Sequence, residues 1–129
     1  MALPTGQILV IDDDPAVLTL LQRTIAPAGY QAVGVDSAEA GLEHLCDPRQ
    51  AWVGCIVDAT LPLMQHGRLL ASIDELHPNL PIIVTSALDL RTARALVGRR
   101  LTTFLPKPFG IDAVLSALNA AGIPLPGVS

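Results

Sequence analysis

Short apolar runs alternate along the chain with longer stretches in which apolar residues recur three or four positions apart. The runs are Gln7–Ile11, Tyr30–Val35, Trp52 or Val53 to Val57, Ile82–Thr85 and Thr102–Leu105. Runs of this length bounded by turn signals read as strands buried in a parallel sheet. The last is shorter and more polar, as suits an edge strand. The intervening stretches carry helical spacing. Pro15 to about Ala26 places Leu18, Leu21 and Ile25 on one face. Asp14 before Pro15 is an N-cap with proline at the first helical position, and Pro27 and Gly29 end the helix. Ser37 caps a second helix to about Cys46, with Ala38, Leu42 and Leu45 inward, closed by Asp47-Pro48. Leu69, Leu70, Ile73 and Leu76 mark a third from Arg68 to His77. Asp89 caps a short fourth through Val97, with a thin apolar face of Ala93, Leu96 and Val97, ended by Gly98. Ile111, Val114, Leu115 and Leu118 stripe a fifth to about Ala121.

Five strands alternating with five helices predict an α/β domain, a parallel sheet with helices on both faces. That domain occupies residues 7–121. Residues 1–6 form an N-terminal extension, and Gly122–Ser129 reads as a Pro/Gly-rich tail or linker. The composition agrees. Half of the 129 residues are apolar and only 16% are charged, with a mean hydropathy of +0.48, as expected where strands have no solvated side. Charges, prolines or glycines break every apolar stretch before the roughly 18 residues of a membrane span. Met1–Gly6 lacks the basic start and apolar core of a signal peptide. A net charge of −4 argues against direct nucleic-acid binding. Cys46 and Cys55 have no metal-ligand spacing, and Cys55 reads as inert core in a reducing, cytoplasmic setting.

Chemistry enters at the strand ends. Strands one, three, four and five deliver Asp12 and Asp13, Asp58, Ser86 and Lys107 to one edge of the sheet, where ligands of open α/β sheets bind. Like charges about 4 Å apart cost roughly 4 kcal/mol at an effective dielectric near 20. A divalent cation relieves that cost, and Mg²⁺ suits oxygen ligands. Lys107 is the only lysine among eight basic residues, a compact point charge suited to a phosphate oxygen. A carboxylate nucleophile, a metal, an ammonium and a hydroxyl together describe phosphoryl transfer.

The motifs Ile8-Leu-Val-Ile-Asp12-Asp13-Asp14-Pro15, Asp58-Ala-Thr-Leu-Pro62-Leu-Met64, Pro81-Ile-Ile-Val-Thr-Ser86-Ala87 and Phe104-Leu-Pro-Lys107-Pro108-Phe109 stand in this order and spacing. With them, residues 7–121 resemble a response-regulator receiver domain of two-component signalling, chemotaxis-regulator-like. The resemblance implies a flavodoxin-like fold with strand order 2-1-3-4-5. It implies that Asp58 is the phosphoacceptor, taking a phosphoryl group from a sensor histidine kinase or phosphotransfer protein. Asp12, Asp13, Asp58 and the Thr60 carbonyl would hold Mg²⁺, and Lys107 would contact the phosphoryl group. Ser86, five residues after Pro81, takes the switch-hydroxyl position, and Phe104, three before Lys107, the switch-aromatic position. The implied output is a changed surface of the fourth helix, fifth strand and fifth helix, offered to a downstream protein or fused output domain. No membrane partner and no turnover activity are implied.

Two departures stand out. Met64-Gln65-His66-Gly67 replaces the family's usual Met-Asp-Gly, so the loop after Asp58 is longer and lacks an acid, and His66 could approach the site. Phe104 has no hydroxyl where tyrosine is common. Arg91, Arg94, Arg99 and Arg100 cluster near the fourth helix, either as a face for an acidic partner or as a solvated surface. Two other readings are an aspartate-dependent phosphohydrolase and a degenerate receiver that only binds protein. The first needs Asp-x-Asp-x-Thr after strand one, and Asp12-Asp13-Asp14-Pro15-Ala16 lacks the threonine. Intact Asp58 and Lys107 oppose the second. Neither a dinucleotide-binding Gly-x-Gly-x-x-Gly nor a Walker loop is present.

Overall fold

The computed structural model describes residues 6–61, 68–97 and 102–126. Outside them lie Met64, Gln65 and His66 of the long loop, Arg99 and Arg100, and the side chains of Leu96 and Val97. The strands are β1 (Gln7–Ile11), β2 (Gln31–Val35), β3 (Trp52–Asp58), β4 (Ile82–Ser86) and β5 (Thr103–Pro106). The helices are α1 (Pro15–Ile25), α2 (Ala38–Leu45), α3 (Arg68–Leu76), α4 (Leu90–Val97) and α5 (Ile111–Ala120). All five strands are parallel, in the expected order β2-β1-β3-β4-β5.

Strand alternation sorts the core into two layers. Leu9, Ile11, Val57 and Val84 meet α2 and α3 through Leu45, Leu69, Leu70 and Ile73. Ile8, Val10, Ile56 and Ile83 meet α1 and α5 through Leu21, Ile25, Val114 and Leu118. Gly41 lets α2 lie close on β1, since a Cβ there would fall 2.4 Å from Ile11 Cδ1. The expected caps are present. Asp14 accepts from the Ala16 N–H, Ser37 from Ala40 and Asp89 from Thr92.

Several boundaries differ from expectation. α1 stops at Ile25, and Pro27 sits in a 3-10 turn, Ala26–Ala28, before Gly29 at φ 100° reverses the chain. Leu76 and Ile111 keep helical spacing but are 39% and 57% exposed. They stand at the ends of α3 and α5, where the apolar stripe runs past the sheet. β5 is shifted by one residue and β4 runs on to Ser86.

The Pro/Gly-rich C-terminal segment is docked through Ile123, Pro124 and Leu125. Gly122, at φ 85°, turns the chain back. Ile123 is 1% exposed in the α1/α5 layer, tight against Gly54. The buried Tyr30 hydroxyl donates to the Pro124 carbonyl. Tyr30→Phe removes that tie and leaves Ile123 in place, so urea denaturation should show a loss of about 1 kcal/mol.

Candidate functional site

β1 leaves β2 on one side and β3 on the other, so the chain reverses direction across the sheet at the carboxyl ends of β1 and β3. A crevice opens at such a point. β1 runs straight into Asp12, which is 1% exposed, and the Asp12 N–H still donates to the Val35 carbonyl at 3.1 Å. Asp12 Oδ1 accepts from the Asp14 N–H at 2.9 Å, leaving Oδ2 for the crevice. Asp13 follows and is exposed.

Asp58 ends β3 at 3% exposure. Thr60 grips one of its oxygens twice: the Thr60 N–H and hydroxyl both donate to Asp58 Oδ1 at 2.9 Å. The other oxygen faces Lys107. The Lys107 N–H donates to the Ser86 carbonyl at 2.8 Å, extending the β4–β5 ladder and aiming the side chain back across the sheet. Its ammonium donates to Asp12 Oδ2 at 3.0 Å and to Asp58 Oδ2 at 3.1 Å. The Lys107–Pro108 peptide bond is cis. Burial by itself pushes the Lys107 pKa down. Hydrogen bonds and ion pairing to Asp12 and Asp58 outweigh it and hold the ammonium above the usual lysine value.

Carboxylate oxygens of Asp12, Asp13 and Asp58 lie within 4.8 Å of one another. One ammonium against three carboxylates leaves the cluster two charges short of neutrality. The donors are all hard oxygens, with a solvent-facing member in Asp13, and such a set fits a divalent cation that keeps part of its water shell. The expected metal ligands Asp12, Asp13 and Asp58 are therefore brought together with Lys107. Thr60 is beside them, though the contacts that place it are its amide and hydroxyl. An Asp-x-Thr spacing at a strand end is the sequence signal for that grip, because short polar side chains there bond locally across the turn.

Ser86 and Phe104 sit on the α2/α3 side of the sheet. Ser86 is 4% exposed, and its Oγ accepts from the Leu88 N–H at 2.9 Å. Phe104 is half-buried. Between them lies a cavity of about 130 Å³, also walled by Val84, Ala93 and Leu105. Thr85 alternates onto the other side, in register with Asp58. Of the two adjacent hydroxyls, Ser86 is thus the one that shares a cavity with Phe104.

The family model of the response regulator receiver domain matches residues 8–119. The response regulator protein FleR of Pseudomonas aeruginosa is 35% identical over 126 residues, 95% of this chain and 26% of FleR. The DNA-binding transcriptional regulator NtrC of Bradyrhizobium sp. is 32% identical over 120 residues, 92% of this chain and 25% of NtrC. The chain thus spans about a quarter of the length of these curated relatives. The chemotaxis response regulator CheY4 of Vibrio cholerae superposes with a TM-score of 0.78 at 20% identity, covering 92% of this chain and 99% of CheY4, which is a likeness of fold. No helix among the described residues is long and apolar enough to cross a membrane. With sheet order, acidic crevice and sequence matches in agreement, the chain belongs to the response regulator receiver domain family of two-component systems.

Proposed function

We propose that Asp58 is a phosphoacceptor that takes a phosphoryl group from the phosphohistidine of a sensor histidine kinase or phosphotransfer protein. The observation that carries this reading is the Lys107 ammonium, held between Asp12 and Asp58 at the mouth of the crevice. In the transfer, a carboxylate oxygen of Asp58 bonds to phosphorus as the phosphorus–nitrogen bond breaks, and the departing imidazole keeps the electron pair. Asp12, Asp13, Asp58 and the Thr60 carbonyl would hold Mg²⁺, which would supply neutralising charge for the phosphoryl oxygens. Thr60 fixes the rotation of the acceptor carboxylate through its amide and hydroxyl. Lys107 is already charged and aimed, so it meets the incoming oxygens with little reorganisation.

The phosphoryl group brings roughly two negative charges to the site. The Ser86 hydroxyl exchanges its contact with the Leu88 amide for a phosphoryl oxygen, the loop after β4 tightens, and Phe104 turns into the cavity beside Ser86. The surface of α4, β5 and α5 changes with it. That surface serves a downstream protein or a fused output domain, in a cytoplasmic signalling module that labels itself and does not turn over substrate. The module binds neither nucleic acid nor membrane directly.

The test uses acetyl phosphate as a small donor. With Mg²⁺, intact-protein mass spectrometry should find one added phosphoryl group per chain, and chelation should abolish it. Steady release of product from a simple phosphate ester, without a labelled protein species, would replace this reading with a hydrolase.

A further inference from the structure

Phe104 is held on its outer side as well as facing an open space on its inner side. The Arg94 guanidinium of α4 lies 5.6 Å from the centre of the Phe104 ring. Among the described residues Arg94 has no carboxylate partner, and its side chain is exposed. On the inner side of the ring is the cavity of about 130 Å³ lined by Ser86 and Ala93. Two ring positions are thus in competition. The outer one keeps the ring face under a cation. The inner one fills a mostly apolar space, with Ser86 and Asp89 in its wall, and a guanidinium that followed the ring would give up part of its water.

We propose that Arg94 is a latch on the switch, a positioning residue that holds Phe104 out through its cation–π contact and so opposes the phosphorylated state. This rests on the phosphoacceptor reading for its consequence, but the latch itself is a property of the unmodified chain. A cation over an exposed ring shifts an equilibrium by roughly two- to fivefold. When the binding-competent form is the minor one, apparent affinity for whatever selects it rises by the same factor as its population. Loss of Arg94 therefore raises affinity for a phosphoryl group or its mimic without any contact to it. The contact also gives α4 and β5 a shared element: a partner carboxylate that draws the guanidinium off the ring frees Phe104 in the same act.

The experiment compares wild type, Arg94→Lys and Arg94→Gln, each with ring-¹³C-labelled phenylalanine; Phe109 is the only other one. In the metal-free protein, Arg94→Gln should strengthen nuclear Overhauser contacts from the Phe104 ring to the Val84 and Ala93 methyls. Beryllofluoride with Mg²⁺, as a phosphoryl mimic, should then bind roughly two- to fivefold more tightly to Arg94→Gln. Arg94→Lys should fall between. In a Phe104→Leu background the Arg94 substitution should change nothing. An unmoved ring in Arg94→Gln overturns the latch, and so does an affinity gain that persists with Leu at 104. If beryllofluoride binds none of the proteins, the phosphoacceptor reading fails, and the ring contacts still decide the latch.

Discussion

Replacing Asp58 with asparagine should abolish phosphoryl incorporation from acetyl phosphate and, in metal-free buffer, make the protein more stable. The first effect follows from chemistry: an amide oxygen is not a nucleophile for phosphorus, and the other buried carboxylate of the crevice is already engaged. Asp12 is committed to the Asp14 amide and Lys107. The second follows from charge. Asp58 lies within 4.8 Å of oxygens of both Asp12 and Asp13, two repulsions of about 3–4 kcal/mol each at an effective dielectric near 20. Its ion pair with Lys107 at 3.1 Å is worth about 5 kcal/mol on the same scale, and the two Thr60 contacts to Oδ1 can be made by an amide oxygen as well. Removing the charge also relieves the cost of keeping a carboxylate almost fully buried. The balance favours the variant by about 1–3 kcal/mol. Mg²⁺ should then narrow the gap, because it stabilises the three-acid site more than the two-acid one. Thermal unfolding with and without Mg²⁺, beside mass spectrometry, checks both. Full labelling of Asp58→Asn would remove Asp58 from its proposed role.

Lys107→Met should have the opposite sign. Asp12 and Asp58 are 1% and 3% exposed, and Lys107 is the cation they share. Removing one member of a buried ion pair costs about 3–5 kcal/mol because the remaining charge is left uncompensated. A fifth of the Lys107 side chain stays in water, so a loss of about 2–3 kcal/mol is expected at neutral pH. The pH dependence is distinctive. The folded-state pKa of Lys107 lies above its ordinary value. Its contribution is therefore complete below the unfolded value of about 10.4 and disappears as pH rises through the folded value. Urea titrations should give a constant difference between wild type and Lys107→Met from neutral pH up to about pH 10, closing above it. Millimolar Mg²⁺ should recover part of the loss, since it supplies the cation the acids lack. Equal stability of the two proteins without Mg²⁺ would mean that the ammonium contributes nothing to holding the acids together.

The acidic crevice was legible in the sequence because its members share one local signature. Asp12, Asp58, Ser86 and Lys107 each end, or closely follow, an apolar run, and a parallel sheet delivers all such residues to one edge. Strand order came from the family resemblance, since periodicity alone does not rank strands. What escaped was decided by tertiary contact. Ile123 sits among Gly122, Pro124 and Pro126, a composition that reads as linker, and only the gap left by Gly54 makes it core. Leu76 and Ile111 match helical spacing, but spacing does not say where the sheet beneath them ends. The Arg94–Phe104 contact joins a helix to a strand, and no local pattern reports it.

The docked C-terminal segment has a geometric consequence for anything covalently attached beyond it. Ile123 lies against Gly54 near the start of β3, whereas Asp58 ends that strand, roughly 13 Å away along it at the rise of an extended chain. Tyr30, which holds Pro124, precedes β2 at the same starting edge. The described chain therefore departs from the pole opposite the acids. A segment tethered at Pro126 can reach the crevice only by running back along the flank of the domain, past α1 or α5. Unless it makes that return, any change of charge at Asp58 could reach it only through the body of the sheet and its helices, and the tether would set the lever arm rather than the message.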